Sequence, residues 1–134
     1  KDLNRLQISK TIGTVVTPQK GYVPPPLVGI WARYPYFHNN SVPTLYDVLT
    51  PDVKRPVSYK AVPAENKETD FDSEKVGYPR MVREPFASDA EYNFNTRKLG
   101  MSNKGHTKMM LTEDGQEKFN HEEKLEIIEF LKTL

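Results

Sequence analysis

Between Val23 and Leu45 the chain strings together Pro24-Pro25-Pro26, Gly29, its only tryptophan at Trp31, the aromatics Tyr34, Tyr36 and Phe37, and His38. Proline fixes φ and removes a backbone donor, so neither a central strand nor a helix interior accommodates it at this density. The residue before each proline is pushed toward extended conformations, which makes Tyr22 to Pro25 non-helical. The segment therefore reads as a stiff loop that presents large side chains and one imidazole at fixed positions. A loop of that kind is suited to wall a flat, apolar, metal-containing cofactor.

The loop runs into a short helix. Ser41 is a good N-cap, Pro43 falls in the first turn, and Leu45, Val48 and Leu49 share one apolar face until Pro51 ends it. The surest element lies at the other end of the chain. Asn120 followed three residues on by Glu123 reads as a capping box. Leu125, Ile128, Leu131 and Leu134 then form a stripe widened by Ile127 and Phe130, with Glu122, Glu123, Glu126, Glu129 and Lys132 on the wet side. So apolar a stripe needs cover, and the chain offers little for it beyond a helix within residues 1–16, with Leu3, Leu6 and Ile8 apolar and a turn at Gly13.

Residues 51–98 carry no sustained period. Short extended pieces are expected at Val57 to Val62, where Val57, Tyr59 and Ala61 alternate with polar residues, and at Val76 to Tyr78. A structureless loop of such length is uncommon in a compact domain, so a hairpin or a covering excursion is expected. The chain thus divides into a lead-in (1–20), the proline and aromatic loop with its short helix (21–50), a long excursion (51–98), and a loop with a closing helix (99–134), all within one domain's worth of sequence.

Nineteen basic residues against eighteen acidic ones leave no strongly basic face, which argues against non-specific nucleic-acid binding. Hydrophobic residues make up only 37%, so the core is small and a cofactor, a partner or further polypeptide is needed to complete it. No apolar run approaches the roughly 18 residues of a membrane span. Phosphate-loop, dinucleotide-binding and His-Glu-x-x-His motifs are all missing. Asn39-Asn40-Ser41 matches a glycosylation acceptor, a pattern short enough to recur by chance. The three histidines are His38, His106 and His121, and of the four methionines Met101, Met109 and Met110 lie near His106 in sequence.

Residues from Pro25 onward, P-P-L-x-G-I-W-A-x-x-P-Y-x-H-N-x-S-V-P-T-L, resemble a segment near the C-terminal end of multi-haem c-type cytochromes. The likeness takes in the di-haem cytochrome c peroxidases and, more closely, the rubber-oxygenase-like di-haem proteins. Later blocks continue it in order: Phe71-Asp72 with Lys75-Val76-Gly77-Tyr78, Ser102-Asn103-Lys104-Gly105-His106, Leu111-Thr112-Glu113, and Leu125 to Leu134. Together they cover roughly residues 20–134. The resemblance implies a mainly α fold with long irregular loops, the C-terminal portion of a cytochrome c-like domain. It implies haem c as cofactor, a periplasmic or otherwise extracytoplasmic location, and a redox partner protein.

The resemblance also assigns roles. His106 falls where the rubber-oxygenase-like proteins place the second axial ligand of their C-terminal haem; where the peroxidases use Met, Met101 is the substitute. A glycine beside such a ligand, here Gly105, lets the backbone approach the macrocycle. His38 becomes a buried histidine near the haem edge, bonded to backbone or propionate. Trp31 packs or relays an electron, with packing in the core the simpler role; Arg33 matches a propionate; and Tyr36 completes the wall. His121, in the first turn of the closing helix, reads as a surface residue. The chain departs from these proteins in one respect: it has no cysteine, and so no Cys-x-x-Cys-His attachment motif. The motif is then expected upstream in a longer polypeptide or on a partner chain. The competing reading is a haem-less interaction or structural module that binds a protein through the stripe of the closing helix.

Overall fold

A computed structural model describes residues 5–13, 15, 21, 23–61, 66, 68–79 and 93–134. In chain order the elements are α1 (Gln7–Thr11), α2 (Leu45–Val48), β1 (Ser58–Lys60), β2 (Asn93–Asn95) and α3 (His121–Lys132). Single 3-10 turns form at Ile30–Ala32, Asp52–Lys54 and Thr107–Met110. The mainly α expectation is not met. Among the described residues the three α-helices hold 5, 4 and 12 residues, and an antiparallel strand pair stands beside them. Proline and turn residues fill most of the remaining length, and a helix needs an unbroken run of donors that such a sequence does not supply.

α3 forms as its cap signature requires. The Asn120 side chain accepts from the Glu123 N–H, and the Glu123 carboxylate accepts from the Asn120 N–H at 2.8 Å. Its stripe is covered from within the chain, contrary to the sequence reading. Ile128 is fully buried, and Leu125 and Leu131 pack against a cluster of Tyr36, Val42, Leu45 and Val76. The cover comes from α2 and from the turn at Ile30–Ala32. Phe130 stays outside, 63% exposed.

α2 starts later than its sequence signal. Thr44, not Ser41, is the N-cap, and its hydroxyl accepts from the Asp47 N–H at 3.0 Å. Two cap-like residues stand three apart, and the sheet-like pairing of Tyr36 with Val42 decides between them by holding 41–43 extended. The Ser41 hydroxyl is left buried without a partner. The first N–H groups of α2 find acceptors in the 71–78 loop, at the carbonyls of Val76 and Lys75. That loop closes through Gly77, bridged to Asp72 and Thr44. Gly77 sits at φ +148°, and a Cβ there would stand 2.1 Å from the Pro43 carbonyl oxygen, so only glycine fits.

Part of the extended piece expected at Val57 to Val62 appears as β1, with Val62 outside the described residues, and the one at Val76 to Tyr78 forms bridges instead of a strand. β2 pairs with β1 in the register Ser58 to Asn95, Tyr59 to Phe94 and Lys60 to Asn93. The strand pair reaches the rest of the molecule through aromatic contacts. Tyr59 stacks on Phe94 at 5.1 Å and on Tyr78 at 5.6 Å, Tyr78 meets the edge of Tyr34 at 5.0 Å, and Tyr34 meets Phe71 at 5.3 Å. Burial pushes the Tyr59 phenol well up, and it donates to the Asn40 carbonyl at 2.5 Å. Of the lead-in, α1 occupies part of the helix expected within 1–16; residues 1–4, 14 and 16–20 lie outside the described residues.

Candidate functional site

The proline and aromatic loop of 23–40 and the loop of 100–107 are some sixty residues apart in sequence and lie against each other. Asn39 makes the first tie: its Nδ2 donates to the carbonyls of Gly100 and Ser102, both at 3.0 Å. Asn39 heads the glycosylation-like triplet, but its amide nitrogen is engaged and Ser41 is fully buried, so in the fold this residue is a tie.

Arg55 makes the second tie. Its Nε donates to the carbonyls of Asp47 at 3.0 Å and Thr50 at 2.7 Å, at the end of α2. Its Nη1 donates to Gly105 at 2.7 Å and to the Asn103 carbonyl. The residue is only 4% exposed, and Nη2 has no partner. Burial lowers its pKa from the ordinary value, and the charges of Asp52 and Asp47 oppose that. Asn103 adds a bond from its own Nδ2 to the Pro56 carbonyl at 3.0 Å, and Thr107 accepts from the Asp52 N–H at 3.2 Å.

The loop so held carries His106 at its corner. Its φ is +61°, a left-handed conformation that non-glycine residues seldom adopt and histidine tolerates better than most. The left-handed turn thus falls on the histidine, while the neighbouring Gly105 has its missing Cβ 3.6 Å from the Phe37 ring. The imidazole is exposed and leans on Phe37, ring centroids 5.0 Å apart. The Arg55 guanidinium carbon lies 5.1 Å from the centre of the same ring. Met101, in the same loop, is half-buried; Met109 is 63% exposed and Met110 is buried.

The other wall residues separate. Trp31 is 45% exposed, so it does not fill the core. Its neighbours Val23, Leu27 and Val28 are also exposed, giving this stretch an apolar surface. Arg33 is exposed and donates from Nη1 to the Pro26 carbonyl at 3.2 Å. Tyr36 belongs to the core, its hydroxyl donating to the Ile30 carbonyl at 3.3 Å and its pKa raised by burial and then by Tyr34. His38 is exposed, against the expectation of a buried residue. His121 is exposed as expected, with Nδ1 3.0 Å from the Tyr46 hydroxyl.

A second polar cluster joins α2 to α3 around a cavity of about 280 Å³ lined by Tyr46, Lys54, Glu117, His121 and Lys124 among others. Lys124, 3% exposed, donates to Thr50 at 2.9 Å and to Glu117, and lies 4.7 Å from the centre of the Tyr46 ring. Lys54 reaches the other Glu117 oxygen at 2.5 Å. Burial works to raise the Glu117 carboxyl, yet the hydrogen bonds and charges of the two lysines prevail and hold it below the usual range. Every charge here has a partner, so the cluster is a brace between elements.

Among the described residues no three His, Cys, Asp or Glu side chains gather as a metal site. No helix there is long and apolar enough to cross a membrane. Sequence reasoning picked out His106 but missed Arg55 and Asn39. Arg55 had one available signal: an arginine held between Pro51 and Pro56, directly after a short helix, is well placed to reach that helix's last carbonyls.

A family model described as RoxA-like, cytochrome c-like matches residues 21–60, so the chain is related to cytochrome c-like proteins over that segment. Two uncharacterized proteins of Sinorhizobium fredii (strain NBRC 101917 / NGR234) are also similar. One, y4iJ, is 36% identical over 111 residues, covering 81% of this chain and 17% of its own length. The other, y4iM, is 44% identical over 59 residues, covering 44% of this chain and 12% of its own length. The chain therefore spans less than a fifth of either relative. No solved structure matches it.

Proposed function

We propose that this chain is part of a c-type haem protein, walling a porphyrin whose thiol anchors lie elsewhere and offering His106 as the second axial ligand to its iron. The observation that carries the reading is an exposed imidazole on a backbone corner fixed by bonds from Asn39 and Arg55. The cytochrome c-like match over 21–60 supports it from the other side of the site.

The donor set suits such a group. Among the described residues no three His, Cys, Asp or Glu side chains gather at His106, and a single imidazole is what one axial position takes, since the porphyrin supplies four ligands and the haem-bearing segment would supply the other axial one. Bound haem would supply one-electron transfer or peroxide and oxygen chemistry. The chain's own share is placement, water exclusion and charge. His106 offers an imidazole nitrogen at an exposed corner. Pro24, Pro25, Pro26, Leu27, Val28 and Trp31 offer exposed apolar surface for a flat ring. Arg33 keeps donors beyond its one bond to Pro26, enough to meet a carboxylate. The reading implies an extracytoplasmic setting, a haem-bearing segment or chain as first partner and a redox protein as second.

An absorbance spectrum of the native material tests it. A Soret band with the reduced bands of six-coordinate iron is expected. His106→Ala should convert low-spin iron to high-spin. An unchanged low-spin spectrum would move the ligand role to Met101 or outside the chain. Colourless, stably folded material would end the reading and leave the haem-less interaction module.

A further inference from the structure

We propose that Arg55 and Asn39 are positioning residues for His106, fixing the imidazole's place by gripping the backbone that carries it. Ser102, Lys104, Gly105 and His106 are all exposed, and of residues 100–106 only Asn103 is buried. Apolar burial therefore cannot hold this loop in one place. What holds it is a set of bonds to its carbonyls: Asn39 on Gly100 and Ser102, Arg55 on Asn103 and Gly105. These grips flank Met101 and end on the carbonyl immediately before His106.

Arg55 suits the task for a geometric reason. A guanidinium is a planar fork, so Nε can engage the end of α2 while Nη1 engages the loop. The loop is thereby referenced to the core through one side chain. The guanidinium also lies over Phe37, the ring on which the imidazole leans, so backbone and ring of His106 share one support. A lysine has one charged nitrogen and cannot make both ends of this connection. The consequence at iron rests on the ligand role given to His106; the grip itself is a property of the chain.

The test uses the native, full-length protein and two readouts, amide hydrogen exchange and the haem spectrum. Arg55→Lys keeps the charge and removes the fork; Asn39→Asp keeps the size and sets a carboxylate against two carbonyls. Both should speed exchange at least tenfold at Met101 and Met109, whose N–H groups bond to Lys98 and His106, while amides of α3 keep their protection. Both should also give a mixture of spin states where the wild type is low-spin. Wild-type exchange in the loop of both variants would overturn the proposal, whatever the colour of the protein. Faster loop exchange in a colourless protein would keep the positioning role and remove the ligand reading instead. Should Arg55→Lys loosen α3 as well, Asn39→Asp decides alone.

Discussion

Val42, Val76 and Ile128 are sealed among side chains, at 0%, 1% and 0% exposure, whereas His106 and its neighbours stand in solvent. Both regions occupy defined places, but by different means. In the first, removal of apolar surface from water does the work, and position follows from packing. In the second, polar side chains anchored in the first region reach out and hold carbonyl oxygens. Burial tolerates no solvent-facing chemistry; a carbonyl grip leaves the side chain free to meet something else. The molecule carries the exposed imidazole of His106 on the region held by the second means.

Substitutions that strike the two regions separately test this division. The largest effect is expected at the junction. Gly77→Ala drives a Cβ into the Pro43 carbonyl and imposes a glycine-only conformation, two penalties that together cost on the order of 4 kcal/mol. Urea titration should show a correspondingly lower midpoint. Ile128→Ala opens a cavity in the sealed cluster and should cost about 3 kcal/mol. Loop exchange at Met101 and Met109 should then accelerate only with global unfolding; a loop that loosens first would break the division, because its grip would prove to depend on core packing alone.

Smaller effects sharpen it. Glu117→Gln weakens the brace between α2 and α3 and should cost roughly 1–2 kcal/mol at neutral pH. The folded-state carboxyl of Glu117 titrates below its unfolded value, so its contribution is present above the ordinary carboxylate range and is lost as pH falls through the lowered value. The wild type should therefore lose stability on acidification more steeply than the Gln variant, measured by denaturant midpoints from neutral to acid pH. Least of all, Asn120→Ala removes the α3 cap for about 1 kcal/mol and should leave amide exchange at Met101 and Met109 unchanged.

Local signals in the sequence were read well where local chemistry decides. Asn120, Glu123 and the spacing of Leu125, Ile128 and Leu131 announce α3 because a capping box and a helical stripe are complete within fifteen residues. The α2 cap was misplaced because Ser41 and Thr44 are equal as local signals and only the pairing of Tyr36 with Val42 separates them. β2, reading Asn-Phe-Asn after Tyr92, alternates over so short a stretch that the pattern does not stand out before Tyr59 is known to be its partner. The mainly α expectation came from the family likeness and overran the proline-rich composition. At the site, His106 was visible as a residue type in a glycine-bearing turn. Arg55 was not, because its bonds to Asn103 and Gly105 span 48 and 50 positions and no periodicity records them.

The chain's one indole is half in water, which gives it a practical use. With 45% of the residue already exposed, its fluorescence should change less on melting than that of a sealed indole, so tyrosine near-ultraviolet dichroism is the better gauge of the interior. The same placement makes that emission a sensitive gauge of whatever settles on the surface around residue 31. A strongly absorbing ring docked there would darken it by energy transfer, and its departure would restore the light.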